Sequence, residues 1–111
     1  MKWQVRSQAW LVFAVLTVVG LFVLGAQPFA VGFVPPPFDK LAHAFLFGAM
    51  FLVLDRALVL PLWLAICIPL MLSAADELHQ IWLPGRQPGL ADWLAGVFGV
   101  AIALIARRGF R

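Results

Sequence analysis

Charge and cysteine are what this sequence has least of. Only 12% of its 111 residues are charged, well under the roughly 25% of an ordinary soluble domain, whereas 64% are hydrophobic. A water-soluble fold of this length could not bury so much apolar surface. The single cysteine, Cys67, lies inside an apolar run, which excludes an intrachain disulfide and a cysteine-paired metal site.

A nucleic-acid-binding surface is also missing. The net charge is +3, but the basic residues stand at the chain ends and at the turns between apolar runs. No basic patch interleaved with aromatic residues is present to follow a phosphate backbone. We therefore expect no nucleic-acid partner and expect membrane lipids to surround the chain.

Long hydrophobic runs make up most of what remains. At about 20 residues per membrane-spanning helix, the chain has room for four spans and for no separate soluble domain. The sequence thus predicts an all-α membrane protein: residues 1–111 form a single domain, a bundle of four transmembrane helices with short loops. The predicted spans cover about residues 9–26, 40–56, 59–82 and 90–106.

The distribution of basic residues predicts the orientation of this bundle. Four spans place both termini on one side of the membrane, and basic residues flanking short loops resist translocation. With the termini inside, six basic residues are cytoplasmic and two are outside. The six are Lys2, Arg6, Arg56, Arg107, Arg108 and Arg111, and the two are Lys40 and Arg86. Cytoplasmic N- and C-termini are therefore predicted.

Small residues recur every four positions along the predicted fourth helix, at Ala91, Ala95, Gly99 and Ala103. In a membrane, helices associate through close backbone approach at small residues, because lipid is as apolar as leucine. We expect this stripe to pack against another helix of the same chain, such as the second, which carries Gly48. A homodimer through the same stripe is the alternative.

Polar residues gather at the outer ends of the second, third and fourth helices. The set consists of Asp39, Lys40, His43, Asp76, Glu77, His79, Gln80, Arg86 and Asp92. All of these except His79 are predicted ligand-binding residues. Helical periodicity places Ser73, Asp76, Glu77 and Gln80 on one face of the third helix.

Two interpretations of this polar set remain open. Carboxylates at the membrane interface need partners, so the set could be an ion-pair network that only holds three helix ends together. Ionisable residues inside a membrane are, however, functional candidates by default, which favours a ligand-binding or catalytic pocket. When no ligand is bound, we predict that Arg86 contacts Asp76, Glu77 or Asp92, because each carboxylate near the interface needs a partner.

The ordered set of motifs resembles the VanZ-like family. The resemblance rests on Asp39-Lys40-x-x-His43, Asp76-Glu77-x-x-Gln80, Pro84-Gly85-Arg86 and Asp92 followed by Gly99, and it covers residues 38 to 99. It implies a small bacterial inner-membrane protein, and the namesake of the family is associated with resistance to the glycopeptide antibiotic teicoplanin. Many members carry Asn four residues after the last Asp, where this chain has Gly96.

Three functions are compatible with the set. The first is binding of an anionic or lipid-linked cell-envelope molecule at the outer leaflet, with Arg86 supplying a planar fork for phosphate or carboxylate. The second is a membrane-embedded enzyme using acid–base or metal chemistry, with His43 and Glu77 as catalytic candidates. The third is a proton pathway, which the lack of ionisable residues in mid-membrane disfavours.

No cofactor and no metal site are expected from local motifs. The stretch Asp76-Glu77-Leu78-His79 lacks the two-histidine spacing of the HExxH zinc motif.

Overall fold

A computed structural model describes residues 4–25, 38–82 and 89–107 of the chain. Four helices account for most of these residues, and together they form a helical bundle, as predicted. The helices are α1 (Gln8–Gly25), α2 (Phe38–Ala57), α3 (Leu62–Gln80) and α4 (Leu90–Ala106). The other regular element in these ranges is a two-residue antiparallel pair, β1 (Gln4–Val5) with β2 (Leu58–Val59).

The third helix is shorter than the predicted span 59–82. Helix α3 begins only after Pro61, which occupies the N-cap position in extended backbone. A proline favours extended conformation in the residue before it and fits the start of a helix, where its missing N–H breaks no intrahelical bond. The residues Leu58 and Val59 therefore leave the helical path and pair with Gln4 and Val5.

Successive helices run in alternating directions. The carbonyl oxygen of Ala57, at the end of α2, accepts hydrogen bonds from the backbone N–H groups of Arg6 and Ser7, just before α1. At the other end of the bundle, the Phe22 ring of α1 lies 5.7 Å from the His79 ring of α3. The described start and end of the chain thus lie together, opposite the polar ends of α2, α3 and α4.

Helix α2 forms the centre of the bundle and contacts each of the other three helices. Its side chains Phe47, Met50 and Phe51 are at most 2% exposed and make up the middle of the apolar core. This central placement matters for the site, because the polar residues at the start of α2 are thereby held between α3 and α4.

Helices α2 and α4 approach each other closely, and this approach depends on glycine. A Cβ atom built on Gly48 would lie 2.7 Å from the carbonyl oxygen of Gly99, and one built on Gly99 would overlap the backbone of Ala44. The small-residue stripe of α4 is thus used within the chain at Gly99 and Ala103, both buried. A homodimer through this stripe stays a prediction.

The exterior of the bundle is more apolar than the surface of an ordinary soluble protein. Large apolar side chains such as Leu16, Phe45 and Ile105 are 64%, 80% and 78% exposed, whereas several carboxylates are buried. One of the described helices, Leu62–Gln80, is long and apolar enough to cross a membrane by length and composition. An apolar exterior of this extent matches a lipid environment.

Candidate functional site

The predicted polar residues of α2, α3 and α4 meet at one end of the bundle. Lys40 of α2 connects this helix with α4. Its ammonium group lies 2.8 Å from Asp39 Oδ2 and also contacts Asp92 Oδ1 at the start of α4. Asp92 is only 7% exposed, so this ion pair provides the countercharge that a buried carboxylate needs. Lys40 therefore ties the start of α2 to the start of α4.

His43 lies one turn further along α2 and faces α3. Its Nε2 atom is 3.5 Å from Glu77 Oε1 and 3.9 Å from Asp76 Oδ2. Its Nδ1 atom is 2.9 Å from the backbone carbonyl oxygen of Asp39. Because a carbonyl oxygen only accepts hydrogen bonds, Nδ1 carries a proton, and Nε2 is the ring atom that faces the two carboxylates.

Both carboxylates of α3 are buried and each is held by a neighbouring donor. Asp76 is 4% exposed and its Oδ2 accepts a 3.2 Å hydrogen bond from the Gln80 side-chain amide, one turn later. Glu77 is 9% exposed and its Oε2 accepts a 3.0 Å hydrogen bond from the backbone N–H of Gly89. This second bond fixes the carboxylate of Glu77 and leaves Oε1 directed at His43.

Ser73 and Gly96 fit together below these carboxylates. Ser73 is fully buried, and its hydroxyl oxygen lies 3.0 Å from where a Cβ atom on Gly96 would be. The hydroxyl thus fills the space that a side chain at position 96 would need. An Asn at this position, as in the resembled family, would require Ser73 to move.

Six of the eight predicted ligand-binding residues contact one another directly: Asp39, Lys40, His43, Asp76, Glu77 and Asp92. A seventh, Gln80, donates a hydrogen bond to Asp76. The prediction on Arg86 lies outside the described residues. The set that the structure describes contains four carboxylates, Asp39, Asp76, Glu77 and Asp92, against the Lys40 ammonium and the His43 imidazole. His79, the polar residue not predicted to bind ligand, packs against the Phe22 ring of α1.

A second polar grouping, at the opposite end of the bundle, was not predicted. The guanidinium group of Arg107 donates to both carboxylate oxygens of buried Asp55, at 3.1 and 3.3 Å, and Arg56 lies over the Trp10 ring. These residues and Arg6 border a cavity of about 400 Å³. Asp55 and Arg107 stand at the ends of the predicted spans 40–56 and 90–106, but their pairing depends on the relative rotation of α2 and α4.

These features define a class of protein: a helical bundle with an apolar exterior and a buried, predominantly acidic cluster at one end. A family model described as VanZ/LLP1 matches residues 2–110, essentially the whole chain. The chain therefore belongs to this family, and the resemblance found in its motifs is confirmed. Neither the curated proteins nor the solved structures give a match.

Proposed function

We propose that the protein is a multi-pass protein of the bacterial inner membrane, with both termini in the cytoplasm and the acidic cluster at the outer leaflet. Residues 1–111 would form a single domain in which all four helices span the bilayer. Two observations support this proposal: the six-against-two distribution of basic residues and the large exposed apolar side chains around the bundle.

Cysteine labelling tests the orientation. In a Cys67→Ala background, a membrane-impermeant maleimide applied to intact cells should label Gln27→Cys and Gln87→Cys, because both would face outward. Ser7→Cys should react only after the cells are opened, because residue 7 precedes the first span. Labelling of Ser7→Cys in intact cells would contradict the proposed orientation, because it would place the N-terminus outside.

The function we propose is binding of a lipid-linked cell-envelope molecule by the cluster, with an effect on teicoplanin susceptibility. The observation that carries it is the burial of Asp76, Glu77 and Asp92 at one helix end. Burying carboxylates is costly, and a purely structural network could be replaced by apolar packing at little cost. Carboxylates of this kind accept hydrogen bonds from sugar hydroxyls, amides and ammonium groups.

An apolar groove beside the cluster supports a ligand that lies partly in the lipid. The groove has a volume of about 260 Å³ and is lined by small residues of α2 and α4, including Ala44, Gly48 and Ala103. Its lining begins at Ala44, which follows His43 in the sequence of α2. The proposed ligand places its polar group among the carboxylates and an acyl chain along the groove.

Carboxylates outnumber cations among the described residues of the cluster, and this indicates which chemical groups of a ligand the cluster would bind. The described residues of the cluster favour hydroxyl, amide or cationic groups over a phosphate. Recognition of an anionic group would need Arg86, whose guanidinium fork suits phosphate and carboxylate. Both Lys40 contacts go to carboxylates, Asp39 and Asp92, which leaves Arg86 as the proposed anion-binding residue.

A second candidate is a membrane-embedded enzyme acting on an envelope lipid or precursor. It is favoured by the position of His43 Nε2, 3.5 Å from Glu77 Oε1. With Nδ1 protonated and bonded to the Asp39 carbonyl oxygen, a neutral His43 presents Nε2 as an acceptor, the form that a general base requires, and the Glu77 carboxyl lies beside it as a second acid–base group. In this case His43 and Glu77 would be the catalytic residues.

Two charge-deleting variants test the proposed function. Glu77→Gln and His43→Gln keep size and hydrogen-bonding capacity but delete the carboxylate charge and the imidazole. We expect both variants to fold and reach the membrane, yet to lose the effect of the protein on teicoplanin susceptibility. Asp55→Asn, at the opposite end of the bundle, is the matched control and should retain activity. Full activity of both cluster variants would contradict the proposal and would indicate that the cluster only holds the helix ends together.

A further inference from the structure

Three ligand-type atoms converge inside the cluster from two different helices. The Nε2 atom of His43, one carboxylate oxygen of Asp76 and one of Glu77 all lie within 4.8 Å of one another. Asp76 and Glu77 are buried, and His43 is mostly shielded from solvent. The local sequence motif did not reveal this group, because its histidine comes from α2 and its carboxylates from α3.

The hydrogen bond of His43 prepares its ring for metal binding. Histidines that bind metal ions commonly donate their other ring N–H to a backbone carbonyl or a carboxylate, which fixes the tautomer and the ring orientation. His43 Nδ1 makes such a bond, 2.9 Å long, to the carbonyl oxygen of Asp39. In the neutral ring, the lone pair of Nε2 then points at two carboxylates.

The distances in this group differ from those of direct hydrogen bonds. A charge-assisted bond from an imidazolium N–H to a carboxylate would be about 2.7–2.9 Å long. The observed distances from His43 Nε2 are 3.5 Å to Glu77 and 3.9 Å to Asp76. Two ligands of a tetrahedral ion with bonds of about 2.0–2.1 Å are roughly 3.3 Å apart, which is closer to this spacing.

One oxygen of the group has no hydrogen-bond partner among the described residues. Among the residues that the structure describes, Glu77 Oε1 is buried and lacks a hydrogen bond, while the Gly89 N–H holds the other oxygen, Oε2. A buried, charged oxygen without a partner is costly, so a cation next to it would be stabilised. Oε1 is the oxygen that lies nearest to His43 Nε2.

We propose that His43, Asp76 and Glu77 bind a divalent transition-metal ion such as Zn²⁺. Imidazole and carboxylate together suit such ions, and two carboxylates neutralise a charge of +2. Three protein ligands leave a coordination position open for water or for an anionic group of a ligand. The ion would supply positive charge to a cluster that is otherwise acidic. The metal proposal is independent of the envelope-ligand proposal, and metal binding can be measured on protein that holds no envelope ligand.

Metal titration of the full-length protein tests the proposal. The protein is purified in detergent, stripped with a chelator and titrated with Zn²⁺ by calorimetry, with bound metal counted by mass spectrometry. We expect one Zn²⁺ per wild-type chain and at least tenfold weaker binding by His43→Gln and Glu77→Gln. The matched control is Asp55→Asn, which alters a buried carboxylate at the opposite end of the bundle and should bind Zn²⁺ as the wild type does.

X-ray absorption of the Zn²⁺-loaded wild type keeps the test decisive even when a variant does not fold. It should show nitrogen and oxygen ligands, including an imidazole, and no sulfur. A wild type that takes up no Zn²⁺, variants that bind as tightly as the wild type, or a sulfur ligand from Cys67 would each overturn the proposal. Loss of Zn²⁺ binding together with unchanged envelope binding would leave the proposed function in place.

Discussion

Of the described glycines Gly20, Gly48, Gly89, Gly96 and Gly99, Gly99 is the one whose replacement with alanine is expected to cause the largest loss of stability. The new Cβ would overlap the backbone of Ala44, and a backbone cannot rotate out of the way as a side chain can. Helices α2 and α4 would have to separate. Overpacking of this kind costs about 1–3 kcal/mol, and we expect about 3 kcal/mol here because the obstacle is backbone.

Gly20→Ala is the matched control for this prediction. Gly20 lies in α1, and a Cβ atom there would meet nothing within 4 Å. The change should leave stability within about 1 kcal/mol or raise it slightly, because alanine is the better helix former. Unfolding in mixed micelles, followed by tryptophan fluorescence, measures both variants. Equal stability of Gly99→Ala and wild type would contradict the described α2–α4 packing.

Lys40→Met is expected to destabilise the protein by about 2–3 kcal/mol. The methionine keeps the length and apolar stem of the side chain but removes the charge that pairs with Asp92. Breaking a buried pair by removing one partner costs about 3–5 kcal/mol. The lower figure applies here because the Lys40 side chain is 40% exposed, so solvent screens part of the interaction.

The double variant Lys40→Met/Asp92→Asn separates a stranded charge from a general packing defect. It removes the buried charge that the single change leaves without its partner, so it should recover at least half of the lost stability. If the double variant is no more stable than Lys40→Met, the loss does not come from the ion pair. The same mixed-micelle unfolding measurement decides between these outcomes.

The positions of the helices could be predicted because local sequence signals mark most of their boundaries. Helix α2 begins at Phe38, directly after three prolines, and α4 ends before Arg107 and Arg108. The predicted third span starts at residue 59, ahead of the helix itself, because Leu58 and Val59 continue the apolar run without a break. Their pairing with β1 depends on residues more than 50 positions away, which no local pattern reveals.

The membership of the polar cluster could be predicted, but its pairings could not. A helical drawing places Asp39, Lys40 and His43 at the same end as Glu77 and Asp92, because the helices alternate in direction. Which cation faces which carboxylate depends on how each helix is rotated about its axis. For α2 and α4, the rotation places Gly48 against Gly99, and this contact is a property of two helices together.

Ser73 shows a further limit of sequence reasoning. Its position on the polar face of α3 could be predicted, and its complete burial agrees with this. Its contact with Gly96 could not be predicted, because the two residues lie on different helices. The departure from the family pattern at Gly96 was visible in the sequence, but only the structure connects it with the Ser73 hydroxyl.

Native mass spectrometry of the wild type and of Glu77→Gln, released side by side from mild detergent, tests the central claim most directly. The claim is that the buried acidic cluster holds a ligand and is more than a clamp between helices. It predicts a co-purified adduct with the mass of a lipid-linked sugar or peptide on the wild type, absent from a folded Glu77→Gln protein. A wild type without such an adduct, or an equal adduct on both proteins, would contradict it.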